Sequence, residues 1–287
     1  MNRLPRDKRI QIVSMLCEGS SMRSIARVTD VSINTVDKLL QDAGIACAAF
    51  HDMTVRNVKA RRVQCDEIWS FVYAKAKNVA TAKAAPERAG DVWTWTALDA
   101  DSKLIVSWLV GGRDSSYAIA LMDDLRDRLA NRVQLTTDGH AAYLEAVEGA
   151  FGGDVDYAML VKLYGEPVEQ EKRYSPAKCI GARRTAIEGA PDPDHISTSY
   201  VERSNLSMRT FMRRFTRLAL GFSKKFENHC HMVALYTVWY NFVKMHKTLK
   251  MTPAMAAGVA DRLWSVGDIV DLIEAAEALE DGSLLVG

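Results

Sequence analysis

At Val63 the spacing of apolar residues changes from helical to alternating, and that change constrains the fold more than any other feature. Ahead of it, Asp7 heads a helix through Leu16 with Ile10, Val13, Leu16 and Cys17 on one face, and Gly19 stops it. Ser20 or Ser21 starts a second helix containing Ile25, Ala26 and Val28. Thr29-Asp30-Val31 turns the chain, and Ser32 caps a third helix, Ile33 to Asp42, closed by Gly44. Behind Val63, residues 63–73 alternate and are rich in β-formers, and 74–90 form an Ala/Lys-rich loop without apolar period. Residues 92–98 and 104–110 read as a hairpin, followed by an amphipathic helix over 115–130. A strand at 133–138, a helix from about Ala141 and a weak strand at 157–163 come next. A Gly/Pro-rich loop then reaches Ser197, and a long helical region covers most of 199–247.

A hairpin followed by crossover units predicts an α/β fold, a mixed sheet flanked by helices, preceded by a small all-α domain. The expected domains are 1–45, helical; 46–62, a linker ending in the basic cluster Lys59, Arg61 and Arg62; 63–260, the sheet domain; and 261–287, an acidic C-terminal helix or tail. In that tail Ile269, Val270, Leu272, Ile273 and Leu279 alternate with acids, as in an amphipathic helix that docks on the core or on a second subunit.

The formal net charge of +1 argues against a nucleic-acid binder until its distribution is considered. Residues 1–62 carry a net +5, 63–199 a net −6, 200–250 a net +8 and 251–287 a net −6. The neutrality is a cancellation between blocks. Within the first block, two short helices and a tight turn form a helix-turn-helix pattern presenting Asn34, Thr35 and Lys38. Its basic charge favours duplex DNA as the partner, with a module for packing or protein contact as the other reading.

Three carboxylates stand out by position. Asp66 lies inside the first strand, Asp138 ends the fourth, with Gly139 letting the backbone leave the sheet, and Glu202 opens the long basic helix. Glu67 should point to the opposite face from Asp66, so only one of the two can line a given site. Carboxylates on strand ends and a helix start suit a pair of Mg²⁺ ions acting on a phosphodiester. The other reading makes Asp138 a helix cap and Asp66 an edge-strand charge. At about 100° per residue, Glu202, Arg209, Arg213 and Arg217 share one helical face, opposite Val201, Met208, Phe211, Met212, Phe215 and Leu218. A face that is basic around one acid points to a polyanion, and Arg209 could reach a phosphate near the metals.

Gln64-Cys-Asp66-Glu-Ile-Trp69, Thr137-Asp138-Gly-His-x-x-Tyr143 and Tyr200-x-Glu202-Arg-x-Asn205 resemble the three catalytic blocks of DDE transposases, the IS-one-like group of bacterial insertion sequences most of all. The acids are spaced by 72 and 64 residues. Tyr240-Asn-Phe-Val-x-x-His246 and the residues to Ala257 are similar to the terminal motif of many such enzymes, with Lys244-Met245 a departure before His246. The resemblance, from about residue 8 to 260, implies an RNase H-like core, two Mg²⁺ (or Mn²⁺) ions and strand transfer of transposon ends. It casts Asp66, Asp138 and Glu202 as metal ligands and Arg209 as the basic residue seven positions after the acid. Asn205 and His140 are possible auxiliaries, and the helix-turn-helix would bind terminal inverted repeats. Pairing two ends implies at least a homodimer. A nuclease of the same fold without strand transfer, and a catalytically inactive DNA-binding regulator, are the alternatives.

Other features point elsewhere. His229-Cys230-His231 lie on a helix, where neighbours diverge by about 100°, and are expected to be structural. Trp69, Trp93, Trp95 and Trp108 lie in strands and are expected to pack there. His140 would touch a phosphate or water, or simply start a helix. Five scattered cysteines without a C-x-x-C pair suit a reducing cytosol, and the first residues lack the apolar run of a signal peptide. The longest mostly apolar stretch, 232–243, is too short to span a bilayer. The expectation is a bacterial, cytoplasmic, nucleoid-associated protein without a membrane partner.

Overall fold

The computed structural model describes residues 4–165, 179–216, 220–280 and 282. Helix α1 (Arg6–Cys17) comes first, and serines open the next two helices as their sequence positions predict. Ser21 Oγ accepts from Ser24 N at 3.1 Å to start α2 (Met22–Thr29), and Ser32 Oγ accepts from Thr35 N at 3.0 Å to start α3 (Ile33–Thr54). Asp30, at φ 52°, turns the chain between them.

Helix α3 does not stop at Gly44, and the expected linker over 46–62 is not a linker. The helix continues to Thr54, with Ala46, Cys47 and His51 buried. Gly44 is a contact point: a Cβ built there would lie 2.3 Å from the Cβ of His231 on α8 (Phe226–Val238). Its lack of a side chain lets two helices touch, which a sequence shows only as a stop signal. Beyond the helix, Val55, Val58 and Ala60 are buried, and Arg62 is ion-paired with Asp101.

Among the described residues the strands form one six-stranded sheet. Its strands are β1 (Arg62–Val72), β2 (Gly90–Asp99), β3 (Ile105–Gly111), β4 (Gln134–Thr137), β5 (Asp156–Tyr164) and β6 (Cys179–Glu188), in the order β3-β2-β1-β4-β5-β6. Pairs β1–β4 and β4–β5 are parallel and the rest antiparallel, which is the mixed sheet expected of an RNase H-like core. A single-turn helix, α4 (Ala76–Val79), lies in the Ala/Lys-rich loop, and α5 (Ser115–Arg128) and α6 (Ala142–Phe151) are the crossovers. Strand β6 falls within the expected loop to Ser197. All its residues are exposed, so no burial alternation marks it in the sequence.

The long helical region expected over 199–247 is broken. Helix α7 (Ser199–Phe211) ends at extended Met212, and Arg213–Phe215 form a 3-10 turn. The end of α7 abuts the α1–α2 turn, where a Cβ on Gly19 would stand 2.9 Å from Phe211 O, so a straight continuation would strike that turn. Met212 and Phe215 leave the helix to enter the core. After α8 come a short π-helical turn (Trp239–Val243), α9 (Pro253–Ala256) and α10 (Val266–Glu280).

The acidic α10 docks on the N-terminal helices. It buries Ile269, Val270 and Ile273, pairs Glu277 with Arg9 at 3.1 Å and reaches Arg6 with Asp271 and Glu274. Phe50 of α3 meets Phe242 edge-to-face and Trp264 at a tilt, at centroid distances of 5.1 and 4.7 Å, tying the N-terminal helices into the main core. Among the described residues no helix is long and apolar enough to cross a membrane.

Candidate active site

Cys65 of β1 pairs with Thr137, the last residue of β4, so β1 runs on beyond its neighbour and its edge is open from Asp66. Ligands of open α/β sheets bind at such strand ends. Asp138 leaves β4 into the same opening, where its Oδ1 accepts from His140 N at 3.0 Å. Gly139 leaves room there, since a Cβ would meet Val161 Cγ2 at 2.8 Å.

Asp66 and Glu67 do start on opposite faces, but the inference that only one can line the site does not hold. Asp66 meets Asn205 of α7 on one side, and Glu67 meets Tyr143 of α6 on the other. Carboxylate oxygens of Asp66, Glu67 and Asp138 nonetheless lie within 4.8 Å of one another. On the β4 side the pairing has ended, although β2 still pairs with both residues on the other, and the two carboxylates approach each other round that open edge. Asp66 Oδ1 folds back to accept from Glu67 N at 2.9 Å, and the extra methylene of Glu67 lets it reach across.

Crowding shows in the electrostatics. Burial, then the charges of Glu67, Asp138 and Glu202, push the Asp66 carboxyl up to about 7. Burial and the Asp138 charge also raise Glu67, against the pull of Arg113. Arg113 grips Glu67 Oε1 with Nη2 at 2.6 Å and Nε at 2.7 Å, and Tyr143 Oη donates to Oε2 at 3.3 Å. Glu67 and Arg113 carried no signal in the sequence beyond their closeness to Asp66 and the β3 end.

Glu202 projects from the first turn of α7 beside this group rather than within it. Its Oε1 accepts from Thr198 Oγ1 at 2.6 Å, and its Oε2 is ion-paired with Lys162 of β5. Asn205, one turn along α7, donates from Nδ2 to Asp66 Oδ2 at 2.8 Å, while its Oδ1 is buried without a hydrogen-bond partner among the described residues. Hard carboxylate oxygens this close suit a divalent cation such as Mg²⁺ or Mn²⁺. His140 lies just ahead of α6, its Nδ1 accepting from Ala142 N at 3.1 Å.

The expected DNA-contacting residues separate. Asn34 is exposed near the start of α3, Thr35 is part of the Ser32 cap, and Lys38 is exposed but paired with Asp42 at 2.7 Å. Arg61 is exposed. Arg209 lies on α7 two turns beyond Glu202, whereas Arg213 sits in the 3-10 turn, off the helical face it was expected to share. Arg217 and Leu218 lie outside the described residues. His229 is structural: it is buried, with Ser223 Oγ at 2.9 Å from Nδ1 and Ser70 Oγ at 3.3 Å from Nε2. Trp95 is fully buried in the sheet, while Trp69, Trp93 and Trp108 are half-buried.

No protein-family model matches the chain, and no curated protein is detectably similar to it in sequence. Among solved structures, the chain is similar to a Mos1 strand transfer complex at 13% identity, over 96% of this chain and 78% of that one, with a TM-score of 0.35. Its similarity to a piggyBac transposase synaptic complex with hairpin DNA covers 99% and 74%, at 10% identity and a TM-score of 0.35. Against a Mos1 paired-end complex with the left transposon end, the match spans only 60% of that chain and 55% of this one, at 14% identity and a TM-score of 0.25.

Proposed function

We propose that this chain is a DNA transposase of the bacterial insertion-sequence kind, cutting transposon ends and joining each 3′-OH to target DNA. The convergence of Asp66 and Asp138 at the open β1 edge, with the helix of Glu202 docked across it, carries this reading. Asp66, Asp138 and Glu202 are the residues that would hold two Mg²⁺ or Mn²⁺ ions. Such ions, when bound, sharpen an oxygen nucleophile and stabilise the leaving oxygen of an in-line phosphoryl displacement.

The protein's own residues supply the rest. The sheet fixes Asp66 and Asp138 on backbone that cannot shift separately, because Cys65 and Thr137 are paired in one ladder. Asn205 and Thr198 orient Asp66 and Glu202 through the 2.8 and 2.6 Å hydrogen bonds. Arg113 holds Glu67, whose carboxylate is charge-compensated and so serves to shape the site. Arg209 stands on the same helix as Glu202 to meet a phosphate, with Arg213 in the turn beyond. Duplex DNA would be recognised by Asn34, Thr35 and Lys38 of α3, helped by Arg61, and two copies would pair two ends. The proposed setting is the bacterial cytoplasm.

The test is an assay with pre-cleaved ends, taken from the inverted repeats flanking the gene, and a target plasmid. Joining is expected. Hydrolysis without joining would replace this reading with a nuclease of the same fold. Glu202→Gln should abolish cleavage and joining while end binding persists; end binding with no cleavage or joining by the unaltered protein would point to a DNA-binding regulator.

A further inference from the structure

Lys162 is ion-paired with Glu202, and neither the sequence motifs nor the proposed chemistry gives it a role. It lies on β5, where Met159 pairs with Thr137 at the end of β4, so Lys162 stands three residues beyond that end, level with the opening. Alternation places Lys162 with Ala158 and Leu160, on the face where Ile196 leads into α7. From there its ammonium pairs with Glu202 Oε2 and feels the charge of Asp66 as well.

The cationic strip continues onto β6. Lys162 pairs with Ala182 and Leu160 with Arg184, so Arg184 shares the face of Lys162, one pair along. Among the described residues, the guanidinium of Arg184 reaches only a backbone carbonyl, Pro193 O at 3.4 Å. Two cations on one face, beginning beside the carboxylates, offer positive charge that a polyanion could meet.

We propose that Lys162 is a DNA-phosphate ligand held in reserve on Glu202. This rests on the reading of Glu202 as a metal ligand. A divalent cation taking Glu202 displaces the ammonium, and the ammonium then binds a phosphate oxygen beside the site. A lysine suits the role because its compact charge and three donors sit on a flexible stem, and this one is about a third exposed (35%). An arginine fork gripping a carboxylate, as Arg113 grips Glu67, would be slower to let go.

Two measurements on the full chain test this, using Lys162→Met with Lys162→Arg as the conservative variant and thermal melts as a check of folding. The first is Mn²⁺ affinity by electron paramagnetic resonance, without DNA. Removing the competing ammonium should tighten binding by roughly three- to tenfold in Lys162→Met. The second is binding of a 40-base-pair mixed-sequence duplex in Ca²⁺ across a series of NaCl concentrations. Loss of one phosphate contact should lower the log–log salt slope by about 0.9, and Lys162→Arg should retain it. An unchanged slope would overturn the proposal and leave Lys162 a structural anchor for Glu202. Unchanged or weaker Mn²⁺ binding would overturn the displacement. If Glu202→Gln binds Mn²⁺ as the unaltered protein does, the reading of Glu202 as a metal ligand fails, and this inference with it.

Discussion

Asn205 Nδ2 donates to Asp66 Oδ2 at 2.8 Å across the gap between α7 and β1, and its own Oδ1 is buried with no partner among the described residues. The amide thereby favours the ionised form of a carboxyl that burial and its neighbours push toward the neutral one. Hydrogen bonds to charged groups are worth about 1.5–3 kcal/mol. Asn205→Ala should therefore raise the Asp66 midpoint by roughly one to two pH units. Carboxyl ¹³C NMR of the Asp-labelled protein would follow it, and an unmoved midpoint would show the bond to be incidental.

Asp66, raised to about 7 in the fold from an ordinary 3.8, makes cation binding pH-dependent. Between those values the folded protein holds a proton that the unfolded chain has released, so stability without cations falls as pH rises through the window. A cation must expel the same proton. Mn²⁺ affinity should climb by up to about tenfold per pH unit below 7 and level off above it. Calorimetry in two buffers of different ionisation enthalpy would also register the released proton. A flat profile from pH 5.5 to 8 would count against Asp66 as a ligand.

Gly44 and Gly149 make a contrasting pair. Both lie inside helices, where Ala is favoured over Gly by about 1 kcal/mol. At Gly149 a Cβ meets nothing within 4 Å, so Gly149→Ala should stabilise by about 0.5–1 kcal/mol. At Gly44 a Cβ meets His231 Cβ at 2.3 Å and Cα at 2.5 Å, atoms that cannot swing aside. Overpacking costs of about 1–3 kcal/mol outweigh the helical gain there, and Gly44→Ala should lower stability in urea titrations. Equal effects from the two changes would mean that α3 and α8 part easily.

The same glycine shows what a linear reading can and cannot see. Local chemistry is legible: Ser21 and Ser32 cap helices, 104–110 returns against 92–98, and Asp66 and Asp138 end up side by side because strand ends are local signals. What fails depends on partners distant in sequence. Gly44 resembles a stop until His231 lies against it, and α7 has no internal reason to end at Phe211 until Gly19 blocks it. Alternation correctly separates Asp66 from Glu67 by face, yet it assumes a neighbouring strand, and β4 ends one residue too soon to keep them apart. Lys162 meets Glu202 only through the β4–β5 register, and β6, exposed on both faces, needs no apolar pattern.

Arg113 offers the sharpest test of how Glu67 is kept in this cluster. The Glu67 side chain is only 2% exposed, while that of Arg113 is 45% exposed, so the pair is buried at one end and solvated at the other. Removing one partner of a fully buried pair costs about 3–5 kcal/mol. Solvent screening of the guanidinium should reduce that to about 1–2 kcal/mol for Arg113→Ala. The loss should be conditional. Without Arg113 an uncompensated carboxylate stands within 4.8 Å of Asp66 and Asp138, and a bound cation would supply the missing charge. Thermal melts with EDTA should show the variant clearly below the unaltered protein, and saturating Mn²⁺ should close most of the gap. Glu67→Gln, which removes the need for a counter-charge, should make the Arg113 change nearly neutral in a double-mutant cycle. A gap that Mn²⁺ leaves intact would mean that Arg113 acts through the β3–α5 loop and not through Glu67.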